Sequence, residues 1–131
     1  MRVIQNLQAA LAHWVYTKEE WIAYRRWEKS RKGFVFYFFY KYFKRAAVIV
    51  PEITITGQKI WIDNTAESFL DNNNKLKRVS IRDAGNMNIL EITYERMNGK
   101  TTGMREIRVP VPKGKLKEAI EVQDCLSGNT F

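Results

Sequence analysis

The sequence predicts an α+β fold: helices in the first third, then an antiparallel sheet and a closing helix. Three observations predict it. Residues 17–32 carry apolar side chains at helical spacing behind a capping signal. From Ala46 onward the pattern changes to short alternating stretches separated by Gly, Asn and Pro. Residues 114–126 return to helical spacing and stop at Gly128. At 131 residues the chain is long enough for one domain with a real core.

Taken in order, residues 3–15 place Ile4, Leu7, Leu11 and Trp14 at helical spacing, which predicts a first helix. Thr17-Lys18-Glu19-Glu20 reads as a capping box, with Thr17 and Glu20 each serving the other's backbone amide. The helix behind it puts Trp21, Ala23, Tyr24 and Trp27 on one side, and Lys18, Arg25, Arg26, Lys29 and Lys32 on the other. Gly33 interrupts it. Residues 34–44 are so uniformly aromatic that periodicity cannot separate strand from helix, and a second helix is the reading adopted.

Ala46–Val50 and Glu52–Thr56 are β-rich around Pro51, and Ile53–Thr56 with Lys59–Ile62 forms a hairpin across Gly57-Gln58. Asp71–Asn74 is a loop of residues that bond their own backbone. Lys77–Arg82, Ile89–Arg96 and Arg105–Val111 are strands, with turns at Gly85-Asn86 and Asn98-Gly99, and Pro110 and Pro112 end the last one. Gly114–Leu126 is an amphipathic helix with Leu116, Ala119, Ile120 and Gln123 along one side. Two segments result: an aromatic and basic helical part over 1–45, and a sheet with its closing helix over 46–131, expected to fold as one cooperative domain.

Charge is unevenly distributed. Of the formal +8, residues 1–45 carry ten Lys and Arg against three acids, while the remainder is close to neutral. Thirteen of the seventeen aromatic residues also lie between Trp14 and Phe43. The run Phe34-Val35-Phe36-Tyr37-Phe38-Phe39-Tyr40 is flanked by Arg31, Lys32, Lys41, Lys44 and Arg45. Such a run needs cover: the core, a second copy, a protein partner or a lipid surface. The expected binding residues are therefore Lys18, Arg25, Arg26, Lys29, Lys32, Lys41, Lys44 and Arg45. Phe34–Phe43 is the expected site of protein contact or dimeric self-association. Aromatics beside cations also suit an acidic membrane surface, or, as the alternative, single-stranded nucleic acid.

The stretches Leu76–Ile81, Ile89–Tyr94 and Arg105–Ala119, with the corner Val109-Pro110-Val111-Pro112-Lys113-Gly114, resemble the end of bacterial pleckstrin-homology-like (PH-like) domains. The resemblance covers roughly residues 53–126. It implies an antiparallel PH-like β-barrel or half-barrel with a C-terminal helix at one end, and a non-enzymatic binding or membrane-associated role. The aromatic and basic N-terminal third has no counterpart in the minimal barrel, and no binding residues are carried over.

Catalytic chemistry is not expected. The single histidine, His13, has no Cys or second His at metal spacing. The single cysteine, Cys125, is expected as a packed thiol in a reducing, cytoplasmic setting. Asp63, Glu67 and Asp71 recur every four residues, but turn chemistry explains them better than a divalent ion. Phosphate-loop, nucleophile-elbow and zinc-protease motifs are missing from the sequence. No cofactor and no metal are expected. The longest apolar run, residues 33–40, falls short of the roughly 20 residues a membrane-spanning helix needs.

Overall fold

The structure is a computed structural model that describes residues 9–30, 49–98 and 101–130. Its elements are β1 (Ala12–Trp14), α1 (Lys18–Lys29), β2 (Ile53–Ile55), β3 (Lys59–Ile62), β4 (Thr65–Ser68), β5 (Asn74–Asp83), β6 (Asn88–Asn98), β7 (Thr101–Val111) and α2 (Leu116–Ser127). They form a four-stranded sheet in the order β1-β2-β3-β4 and a three-stranded sheet in the order β5-β6-β7. Every pairing is antiparallel, and no ladder joins the two sheets among the described residues. Among the described residues the fold is therefore α+β, with two antiparallel sheets and no closed barrel.

One expectation fails at the start. Ala12–Trp14 is a strand, not the end of a helix, and pairs with Ile53–Ile55. The apparent helical spacing of Leu11 and Trp14 was misleading. Ala12 and Trp14 point into the core while His13 points out, the two-residue period of a half-buried strand. A helix over residues 1–8 lies outside the described residues, as do the readings of residues 34–44 and of Ala46–Val48. Ile49 and Val50 precede β2 without joining a strand.

The capping box forms as the sequence predicts. The Glu20 amide donates to the Thr17 hydroxyl at 3.0 Å, and the Thr17 amide donates to Glu20 Oε1 at 2.8 Å. Glu20 also accepts from the Lys113 amide at 2.6 Å through its other oxygen, so the cap holds α1 to the corner between β7 and α2. Burial pushes the Glu20 carboxyl up, but these amide and hydroxyl donors outweigh it and hold the group below its ordinary range.

Residues facing each other across an antiparallel ladder share a face, which assigns the two sides of the three-stranded sheet. The inner side carries Leu76 with Tyr94, Val79 with Ile92 and Ile107, and Ile81 with Leu90 and Val109. A bulge at Lys77 lets Leu76 and Val79, three apart in sequence, both point inward. These side chains merge with Ile53, Ile55, Ile60, Ile62 and Phe69 of the other sheet region into one core. The outer side carries Ser80 with Glu91 and Arg108, and Arg78 with Thr93 and Glu106.

Among the described strands β7 lies at an edge, and α1 protects part of it. The Tyr24 hydroxyl reaches the Arg108 carbonyl at 3.2 Å, and the Tyr16 hydroxyl donates to the Pro110 carbonyl at 2.7 Å. Those two carbonyls, two residues apart, point off the ladder, as alternate groups of an edge strand do. Pro110 does not end β7. It sits inside the strand, where the missing N–H costs no ladder bond. The strand stops at Val111, and Gly114 supplies the left-handed φ of 84° at the corner.

The closing helix also presents a different face from the one predicted. Ala119, Val122 and Leu126 are buried, whereas Leu116 and Ile120 are each 42% exposed. The 119/122/126 set meets the core, and Trp14 Nε1 donates to Glu118 at 2.6 Å, joining β1 to α2. Cys125 is exposed rather than packed, because it lies beside Leu126 on the solvent side of that set.

Candidate functional site

The helix α1 divides cleanly around its axis. Trp21, Tyr24 and Glu28, at i, i+3 and i+7, are buried. Lys18, Arg26 and Lys29 are exposed on the opposite side, with Ile22 half-buried between them and Glu19 at the N-terminal end. Arg25, expected with the other cations, is half-buried near the edge of the inward arc. Lys32, Lys41, Lys44 and Arg45 lie outside the described residues, as does Phe34–Phe43. The described part of the predicted set thus reduces to three outward cations on one helix.

The aromatics of α1 are used internally. Tyr16, Trp21, Tyr24 and Trp27 form a tilted chain with ring centroids 5.8, 5.1 and 6.2 Å apart. Trp21 and Tyr24 have no exposed surface. Burial, then the Glu28 carboxylate, pushes the Tyr24 hydroxyl well above its usual range, so it remains a donor. Burial likewise raises Tyr16.

Beneath α1 lies a charge cluster that the sequence reading missed. Arg108 Nη1 contacts Glu28 Oε1 at 2.5 Å, Nη2 contacts Glu106 Oε1 at 2.8 Å, and Nε lies 3.5 Å from Glu91 Oε2. Arg82 closes on the same Glu91 oxygen at 2.8 Å. Tyr24 donates to the second oxygen of Glu28 at 2.7 Å, and the Trp27 ring lies 5.9 Å from the Arg108 guanidinium carbon. Glu28, Glu91 and Arg108 are buried. Two sequence signals could have found the cluster. Glu28 stands on the arc of Trp21 and Tyr24, and Glu106-Ile107-Arg108-Val109 alternates charge with apolar side chains inside a strand.

Two hollows stand out among the described residues. A groove of about 410 Å³ lies between the first turn of α1, the β5–β6 turn and the β7–α2 corner, floored by Ala23, Met87, Val111 and Leu116. Glu20, its central carboxylate, already spends both oxygens on backbone amides. A polar hollow between β4 and the end of β6 holds Glu67, Asp71, Asn74 and Arg96. These also serve each other: Glu67 accepts from Tyr94 and pairs with Arg96, and Asp71 accepts from the Asn73 and Asn74 amides. Asp63 turns the β3–β4 hairpin at φ 51°. Among the described residues no group of three or more His, Cys, Asp or Glu could hold a metal ion. His13 pairs with Glu52 at 3.2 Å on the surface. Among the described residues no helix is long and apolar enough to cross a membrane.

No family model, curated protein or solved structure matches this chain, so its geometry alone carries the functional argument.

Proposed function

We propose that this chain is a non-catalytic binding module that attaches peripherally to an acidic lipid surface through α1 and the segment that follows it. One observation carries the reading. α1 buries its aromatics and turns Lys18, Arg26 and Lys29 outward, and the chain then continues into Arg31, Lys32 and the aromatic run bounded by Lys41, Lys44 and Arg45. Cations beside aromatic residues meet anionic headgroups and the interfacial layer together. α1 itself offers no stacking platform for bases, because Trp21 and Tyr24 are buried; the aromatic run that follows suits either ligand, and the experiment below separates them.

The finer fold reading is also a proposal. A four-stranded and a three-stranded antiparallel sheet followed by a C-terminal helix suit a PH-like half-barrel. On that reading α1 and the aromatic segment are an insertion between its first two strands, since β1 and β2 are adjacent in the sheet yet separated by residues 15–52.

Sedimentation with vesicles tests the function. The protein should bind vesicles rich in anionic lipid, bind neutral ones weakly, and lose affinity steeply with added salt. Stronger retention on a single-stranded oligonucleotide than on acidic vesicles would overturn the lipid reading in favour of nucleic acid. Retention on neither at low salt, with a concentration-dependent dimer in the centrifuge, would leave self-association through Phe34–Phe43.

A further inference from the structure

The outward side of α1 is explained by its cations, but its inward side is not explained by burial alone. A helix that needed only to be covered would carry an apolar residue at position 28, on the arc of Trp21 and Tyr24. Glu28 stands there instead and meets Arg108 at 2.5 Å. Arg108 touches three carboxylates from three elements: Glu28 on α1, Glu91 on β6 and Glu106 on β7. Removing such ions from water costs several kcal/mol each, and apolar side chains of similar volume often serve stability as well or better. What a guanidinium fork supplies that apolar contact does not is a single geometry.

The position of the cluster shows which geometry is at stake. Glu28 lies in the last turn of α1, between Arg26 and Lys29 and just before the C-cap Ser30. Tyr24 binds both Glu28 and the Arg108 carbonyl, fixing the helix against the edge of β7 at the same point. Leu90, Ile92 and Val109 lie on the opposite, inner face of the sheet, away from these polar contacts.

We infer that the Glu28–Arg108–Glu91 cluster is a positioning clamp, which sets the angle at which α1 presents Arg26 and Lys29 and hands the chain on to the aromatic segment. Its purpose rests on the lipid reading; the clamp itself does not.

Amide hydrogen exchange of the full chain tests the clamp without any lipid. In Arg108→Lys, which keeps the charge but loses the fork, amides of residues 21–30 should exchange at least tenfold faster while those of β5 and β6 stay within about twofold. Tyr24→Phe, a milder change, should give a several-fold increase in the same place, and it decides the question if Arg108→Lys fails to fold. An equal increase throughout the sheet, or no increase in α1, would overturn the clamp. A second arm separates position from stability. The combined variant Glu28→Leu, Glu91→Leu, Glu106→Gln, Arg108→Met, which leaves no carboxylate of the cluster without its cation, should melt no lower than the wild type yet bind acidic vesicles at least fivefold more weakly. A sharply lower melt, or unchanged vesicle affinity, would overturn a positioning role. If the wild type itself ignores vesicles, the lipid reading fails, and the exchange arm alone decides the clamp.

Discussion

The two faces of the β5–β6–β7 sheet are made from the same three strands, but only the outer one, beside the apolar Ile89 and Pro110, buries an ion cluster. Inward, Val79, Ile92 and Ile107 form one row and Leu90 and Val109, with the half-buried Ile81, the next, packed into the common core. Outward, the row between them is Ser80, Glu91 and Arg108, covered by α1. Apolar contact is non-directional and tolerates exchange of similar volumes. A buried ion cluster tolerates almost none, because removing one partner strands the others. The inner face should therefore forgive changes that preserve size, while the outer face should not forgive even changes that preserve charge.

The largest expected effect comes from removing what covers the outer face. A chain beginning at Ala46 loses Trp14, Trp21 and Tyr24, all fully buried. At about 1.5–3 kcal/mol per large buried side chain, the loss is comparable with the roughly 5–15 kcal/mol of a whole domain. It also exposes the edge of β2 and the Arg108 cluster. Such a chain should show no sharp near-UV circular dichroism and no cooperative melt. A well-folded product would mean that the two faces are independent.

Paired substitutions sharpen the contrast. Arg108→Met leaves Glu28 and Glu91 buried without their shared cation and should cost about 3–5 kcal/mol in denaturant unfolding. Leu90→Met, directly behind it on the inner face, should cost less than about 1.5 kcal/mol. Comparable losses at the two positions would erase the distinction.

Acid should act at smaller, defined points. Burial raises Asp71, but the Ser68 hydroxyl and the Asn73 and Asn74 donors outweigh it and hold the carboxyl below its ordinary range. Glu20 is depressed in the same sense. A depressed carboxyl stabilises the fold above its unfolded pKa, and that contribution disappears as pH falls through the folded value. Stability should therefore decline below about pH 4, and Glu20→Gln with Asp71→Asn should flatten that limb. Thr17→Ala should have the smallest effect, about 1 kcal/mol from the lost cap, read as a shifted denaturant midpoint with an unchanged slope.

The contrast between faces also marks what the sequence could disclose. The hairpin over 53–62, the three long strands, α2 and the capping box were legible, because alternation, turn residues and a local Thr–Glu signal are short-range properties. The strand at Ala12–Trp14 was not, since three residues paired with Ile53–Ile55 are too few to show a period, and Leu11 and Trp14 happen to fit a helix. The burial of Val122 in place of Ile120 was hidden because both fit a helical stripe and only the docked partner chooses between them. Arg25 looked equivalent to Arg26 in composition, although one residue of helical rotation brings it to the buried edge. The Glu28–Arg108 pair joins residues eighty positions apart, and each alone reads as a surface charge. Lys18, Arg26 and Lys29 were legible as a stripe, because helical rotation brings them together whatever α1 docks against.

The central claim is that the placement of charge on α1, and not the total charge of the chain, makes the lipid-facing surface. Two variants with the same change in net charge separate these. One replaces Lys18, Arg26 and Lys29 with Gln; the other replaces Lys113, Lys115 and Lys117, which are equally exposed near the start of α2. At about 1 kcal/mol per cation near an acidic surface, the first should lose roughly a hundredfold in affinity for anionic vesicles, while the second stays close to the wild type. Equal losses in the two variants, or none in the first, would contradict the account.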